Sequence, residues 1–175
     1  MKKTNKIFYL GEGKTEGRVK EALNLEGNFS VFKVWEKDIK EKLRTFTPQS
    51  EIVLMVDADL HNTPNCAKRL KDNLALLKKH KHRVTVLLQV NDLEDEVIRG
   101  FGDASKTCRT FGIKNKTELK QVLASINNLQ EKLNNPAFNA QNLWTQPHEK
   151  CDNICEGLRA NIDNLRKIPK RISQS

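Results

Sequence analysis

The segment Glu51-Ile-Val-Leu-Met-Val-Asp57 constrains this chain more than any other. Its consecutive apolar residues are those of a central strand covered on both faces, where neither side of the pleat meets water. It stops abruptly at Asp57-Ala58-Asp59. Arg83-Val-Thr-Val-Leu-Leu-Gln-Val90 repeats the pattern. Two strands of this kind in one chain demand helices on both faces of a sheet.

The rest of the first two-thirds supplies them. Lys6–Leu10 reads as a short strand running into Gly11-Glu12-Gly13. From Thr15, Val19, Ala22, Leu23 and Leu25 recur at helical spacing until Gly27-Asn28. Phe29–Trp35 reads as a strand rich in aromatic and β-branched residues, and Asp38–Phe46 as a helix stopped before Pro48. Pro64 fits the first turn of a helix with Thr63 as a candidate cap. The alternation β-α-β-α-β-α-β predicts an α/β fold, a Rossmannoid, mostly parallel four-stranded sheet flanked by helices. After Asn91 the pattern changes. Leu93–Ile98 reads as a short helix and Gly100–Thr107 as a loop. Lys116–Leu133 and His148–Leu165 read as long helices separated at Asn134-Asn-Pro136. The expected organisation is an α/β core over residues 1–110 and a helical extension over 111–175 packed on it. Pro169 ends the last helix, so a flexible basic tail is expected from about residue 168.

Composition narrows the partners. Lys and Arg exceed Asp and Glu by 31 to 22, a formal net charge of +9. Basic residues crowd the start, the stretch Lys68–Arg83 and the segment Arg166–Arg171. A surplus of this size favours a polyanionic partner, RNA or DNA. No apolar run approaches the ~20 residues of a membrane span. Ile7–Leu10 is also too short for a secretory signal, so a cytoplasmic protein without a membrane partner is expected. The four cysteines are Cys66, Cys108, Cys151 and Cys155. His148, Cys151 and Cys155 share one helical face, but no paired C-x-x-C gives a zinc set, and buried, inert thiols are expected.

Ligands of open parallel sheets bind at the carboxyl ends of the strands. Two such ends carry charge here: Gly11-Glu12-Gly13-Lys14-Thr15-Glu16 and Asp57-Ala58-Asp59. Asp57 and Asp59 would repel each other unless a cation lay between them, and hard oxygen donors favour Mg²⁺ or Mn²⁺ over zinc. Glu12 stands between glycines, where the backbone can turn tightly and approach a phosphate. Gly13, Lys14 and Thr15, at a helix N-terminus, are the candidate phosphate contacts. Glu16 is read as a carboxylate favoured by the helix dipole. Gly13-Lys14-Thr15 also matches the end of a P-loop, which would make the chain a nucleotide-binding switch. The first glycine that motif requires falls at Phe8, inside the predicted strand.

Glu12-Gly13-Lys14-Thr15-Glu16 together with Val56-Asp57-Ala58-Asp59 resembles the Toprim pattern, a strand-end glutamate followed by D-x-D. The EGKTE form is similar to that of the RloB-like branch, associated with bacterial defence loci. Asn91–Gly100 resembles an acidic segment in the Toprim parts of OLD-like nucleases. The likeness spans about residues 6–100. It implies that Asp57 and Asp59 hold Mg²⁺ and that Glu12 moves a proton or joins the metal shell. Glu94, then Glu96, follow as supporting metal ligands. Toprim topoisomerases use a tyrosine from a separate domain, whereas Tyr9 is predicted inside a strand. Primases need further template-binding modules. The resemblance therefore implies a Mg²⁺-dependent hydrolase of phosphodiester bonds in RNA or DNA, an effector of anti-phage defence. The alternative is a non-catalytic subunit that binds nucleic acid, or an ATPase or other defence-system partner, on a Toprim-like scaffold.

Overall fold

The computed structural model describes residues 6–59 and 63–166. Strand β3 (Glu51–Asp57) is buried from Glu51 through Val56, as its apolar run requires. It lies between β1 (Ile7–Gly11) and β4 (Arg83–Gln89), with β2 (Asn28–Val31) outside β1. The four strands run in the order β2-β1-β3-β4 and every pair is parallel. The protein is thus α/β, with helices on both faces.

Alternation along the strands divides the core into two layers. Tyr9, Val53, Met55 and Leu87 face one side, and Leu10, Ile52, Leu54, Val56, Val86 and Leu88 the other. The first layer is covered by α1 (Lys14–Ala22), α4 (Leu93–Phe101), α5 (Ala104–Phe111), α6 (Lys116–Ser125) and α7 (Leu129–Leu133). The second is covered by α3 (Pro64–Lys79), by α8 (Glu149–Ile154), and by the loop around the four-residue helix α2 (Lys40–Leu43). Gly17 permits the close seat of α1 on β2, because a Cβ there would lie 2.7 Å from Phe29 Cδ1.

Several elements differ from the sequence reading, each for a visible reason. The second strand ends at Val31 rather than Trp35, because its partner β1 ends at Gly11. Phe32, Val34 and Trp35 are still buried, in a loop held by Asn73. Asn73 Oδ1 accepts from Ile39 N at 3.0 Å, and its Nδ2 donates to the carbonyls of Val34 and Lys37 at 2.6 and 2.7 Å. The expected helix over Asp38–Phe46 contracts to α2. Thr63 is the N-cap of α3, with Pro64 in the first turn, but its side chain makes no capping bond.

The predicted loop Gly100–Thr107 is instead the end of α4 and the start of α5. Gly102 closes α4 at φ +86°, and Asp103 opens α5 by accepting from Lys106 N at 2.7 Å. The single helix expected over Lys116–Leu133 is two, with Ile126 extended between them. Arg18 of α1 donates to the carbonyl oxygens of Leu123, at 3.0 Å, and Ile126, so α6 ends on a cation from another element. The helix expected over His148–Leu165 is α8 and α9 (Ile162–Arg166). Gly157, at φ +70°, reverses the chain between them. The chain then runs beside β4, where Val86 N donates to Leu158 O at 2.8 Å and Ala160 N to Val86 O at 3.0 Å. The outer edge of the sheet is thereby covered. The basic stretch at the start, His61 and the tail from about residue 168 lie outside the described residues.

Candidate acidic site at the carboxyl edge of the sheet

β1 and β3 are neighbours, so the residues that follow their carboxyl ends emerge side by side. Glu12 comes directly after β1, and Asp57 closes β3. Their carboxyls lie close enough that each shifts the other. Two carboxyls at such close quarters compete for ionisation. Burial, then the Glu12 carboxylate, push Asp57 up from 3.8 to about 9. The Asp57 carboxyl, and then Lys33, hold Glu12 below its ordinary value against the opposing effect of burial. Lys33 Nζ lies 2.7 Å from Glu12 Oε1. The pair is thus pulled apart, Asp57 toward its neutral form and Glu12 toward its ionised one, with Lys33 beside Glu12.

Other carboxyls crowd the same edge. Glu16, in the first turn of α1, is 7% exposed, and burial raises its pKa, with Glu12 and Glu94 adding to the rise. Its Oε2 accepts from Gly13 N at 3.1 Å, the one bond of a capping box that a glycine N-cap allows. Glu94, in the first turn of α4, is 6% exposed. Burial raises it first and Asp92 adds to that, while Lys120 and Lys116 oppose. Asp59 is exposed, and its charge adds to the shift of Asp57. Lys14 is exposed at the first position of α1, with Thr15 next to it.

One expectation is refined and another needs correction. The chain bends at Glu12 and Gly13 as expected, but without a left-handed glycine. Among the described residues the glycines at positive φ are Gly27, Gly102, Gly112 and Gly157, and Gly13 is extended at φ −138°. Gly11 is instead a steric requirement, since a Cβ there would come within 3.0 Å of Phe29 and 3.2 Å of Glu16. Glu96 is also ill placed to bind a cation. It is fully buried, its Oε1 accepts from Val90 N at 3.1 Å and its Oε2 from Trp144 N at 2.7 Å. Arg99 completes the set with an ion pair of 2.5 Å. Its oxygens are taken by the protein, and it fixes the β4–α4 turn against the C-terminal segment.

Sequence reasoning missed Lys33 and Gln89 and read Glu16 only as a helix-dipole carboxylate. Lys33 was foreshadowed only by its place two residues past β2, beside the end of β1. Glu16 has a readable signal, a carboxylate in the first turn of a helix, but its burial comes from packing. Gln89 closes β4 opposite Asp57 and is 1% exposed. Tyr9 lies inside β1 at 1% exposure. Cys151 and Cys155 are buried, and burial pushes their thiols up to about 11 and about 12. Cys151 donates to the carbonyl of Ala58 at 3.1 Å, bracing the Asp57–Asp59 turn from below.

Among the described residues no group of three or more His, Cys, Asp and Glu is already arranged around a common metal position. Crowded carboxyl oxygens are nevertheless the donor type that a hard divalent ion takes. The charges that raise Asp57, those of Glu12, Glu16 and Asp59, are all negative.

No protein-family model matches the chain, and no curated protein matches it. A solved structure that it resembles is that of the TIR domains of the activated Roq1 resistosome directly recognizing the pathogen effector XopQ. The likeness has 14% sequence identity and a TM-score of 0.32, and it covers 85% of this chain and 95% of that one. A similarity of that size carries no argument about function. No helix among the described residues is long and apolar enough to cross a membrane.

Proposed function

We propose that this protein is a Mg²⁺- or Mn²⁺-dependent phosphodiesterase of Toprim type that cuts RNA or DNA. The observation that carries the reading is the meeting of Glu12 and Asp57 at the carboxyl ends of two adjacent central strands. A divalent ion bound there would polarise the phosphoryl group and make an attacking water more acidic. Asp57 is the principal candidate ligand, with Glu12, Asp59 and Glu94 as the supporting carboxylates. Glu12, ionised and steadied by Lys33, is the group suited to take up a proton. The backbone N–H groups opening α1, with Lys14 and Thr15, suit a phosphate. The net charge of +9 would hold a polyanion by contacts that position without reading sequence.

The resemblance to the RloB-like branch supports a role in anti-phage defence, acting with an ATPase or another subunit in the cytoplasm. The reading predicts cleavage that disappears in EDTA, with Asp57→Asn and with Glu12→Gln, while the fold survives. Metal-independent cutting would contradict it. A second reading, a non-catalytic binding subunit, is favoured by the exposure of Asp59, which leaves that carboxylate in water. It predicts salt-sensitive binding of nucleic acid that is indifferent to both substitutions.

A further inference from the structure

Gln89 is the last residue of β4, and its Cα is paired with that of Asp57 across the parallel ladder. Register partners of parallel strands project to the same face. The amide of Gln89 and the carboxyl of Asp57 therefore leave the sheet together, on the side of Val53, Met55 and Leu87. Gln89 is 1% exposed, and among the described residues its Nε2 has no hydrogen-bond partner. A buried amide donor without an acceptor is uncommon and destabilising, and an apolar side chain would fill the place without that penalty.

The position is also held firmly. Val90 N donates to the buried Glu96, Asn91 takes a left-handed backbone at φ +73°, and Asp92 caps α4 by accepting from Asp95 N at 2.8 Å. These contacts fix the backbone after Gln89, and the packing around a side chain 1% exposed limits where its amide can turn. A rigid, buried, unpartnered donor beside an acidic site is a group that waits for an acceptor.

We propose that Gln89 is a substrate-contacting residue whose Nε2 donates to a non-bridging oxygen of a phosphoryl group seated beside Asp57. The inference rests on the reading of this edge as a phosphodiester site and adds a recognition group to it. The residue type fits the electrostatics. A lysine or arginine here would pair with Asp57 and quench the carboxylates that a cation needs. A neutral amide hydrogen-bonds to an anionic oxygen and leaves their charge free.

The test uses the full chain, with Mg²⁺ alone and then dimethyl phosphate in the presence of Mg²⁺. In ¹⁵N-labelled protein the Gln89 side-chain NH₂ resonance, assigned by its loss in Gln89→Met, should move on addition of the diester. Gln89→Met should melt no lower than wild type and keep its Mg²⁺-induced rise in Tm. Its affinity for the diester should fall about tenfold. Unchanged diester binding in Gln89→Met, or a lower Tm without ligand, would overturn the assignment. If wild type responds to Mg²⁺ but its Gln89 resonance ignores the diester, the role of Gln89 fails and the acidic site stands. If wild type responds to neither probe, both fail.

Discussion

Trp144 N donates a hydrogen bond of 2.7 Å to Glu96 Oε2, tying the segment before α8 to the helix whose first turn carries Glu94. Trp144 is 1% exposed and sits at φ +58°, a conformation that costs an ordinary residue energy and persists only where its surroundings impose it. Glu96 imposes it, while its other oxygen holds Val90 and Arg99 neutralises its charge. Glu96→Ala leaves two buried N–H groups and a guanidinium without their acceptor, and is expected to cost roughly 3–5 kcal/mol in urea unfolding. Glu96→Gln, which keeps one acceptor oxygen, is expected to cost about 1–3 kcal/mol.

Arg18 performs a similar task between α1 and α6. Its guanidinium takes carbonyl oxygens that the end of α6 leaves unpaired. Arg18→Met is expected to lower stability by about 1.5–3 kcal/mol. Amide exchange should accelerate over residues 123–128 more than in β3. Equal acceleration in both would show that Arg18 supports the whole fold and not this helix end.

Gly100 marks the contact of α4 with the loop after α7. A Cβ there would lie 2.2 Å from Phe138 Cε2, and Phe138 in turn packs on Phe101 with ring centroids 4.9 Å apart and the rings tilted by 57°. Gly100→Ala is expected to destabilise by roughly 1–3 kcal/mol, the usual effect of overpacking. A compensating Phe138→Leu should recover part of it in a thermal melt.

The opposed shifts of Asp57 and Glu12 make a prediction about pH. Asp57 is raised in the folded state, so the native protein binds a proton that the unfolded chain has already released. That contribution is complete below the ordinary aspartate value and is lost as pH rises toward about 9. Glu12 is lowered, so its contribution stands above the ordinary glutamate value and is lost as pH falls through its lowered one. Metal-free protein should therefore lose stability from neutral toward alkaline pH, and Asp57→Asn should flatten that slope. Where a cation displaces the proton, its apparent affinity should rise with pH, up to about tenfold per unit, until Asp57 ionises unaided.

Much of this architecture is legible in the sequence where the determinants are local. The apolar run of β3, the turn after β1 and the proline at the head of α3 place three elements and both site-bearing strand ends. The misreadings occur where distant residues decide. The end of α6 depends on Arg18, and the break between α8 and α9 depends on the free edge of β4 as well as on Gly157. Gly102-Asp103 did carry a local signal for α5, a stop glycine followed by a capping aspartate. Within the site, Glu12 and Asp57 could be named from their strand ends. The role of Glu96 could not, because a buried anchor and an exposed ligand look alike in an acidic run. Gln89 was equally hidden, since only the ladder register places it beside Asp57.

The most direct measurement is the thermal melt of metal-free wild type, Asp57→Asn and Glu12→Gln under titration with Mg²⁺ and Mn²⁺ at pH 7. The account predicts a rise in Tm for wild type that saturates with metal and is abolished in Asp57→Asn. It also predicts that Asp57→Asn without metal is at least as stable as wild type, because an amide there removes one of two competing carboxyls. A wild-type Tm indifferent to both ions, or a metal response that survives Asp57→Asn, would contradict it.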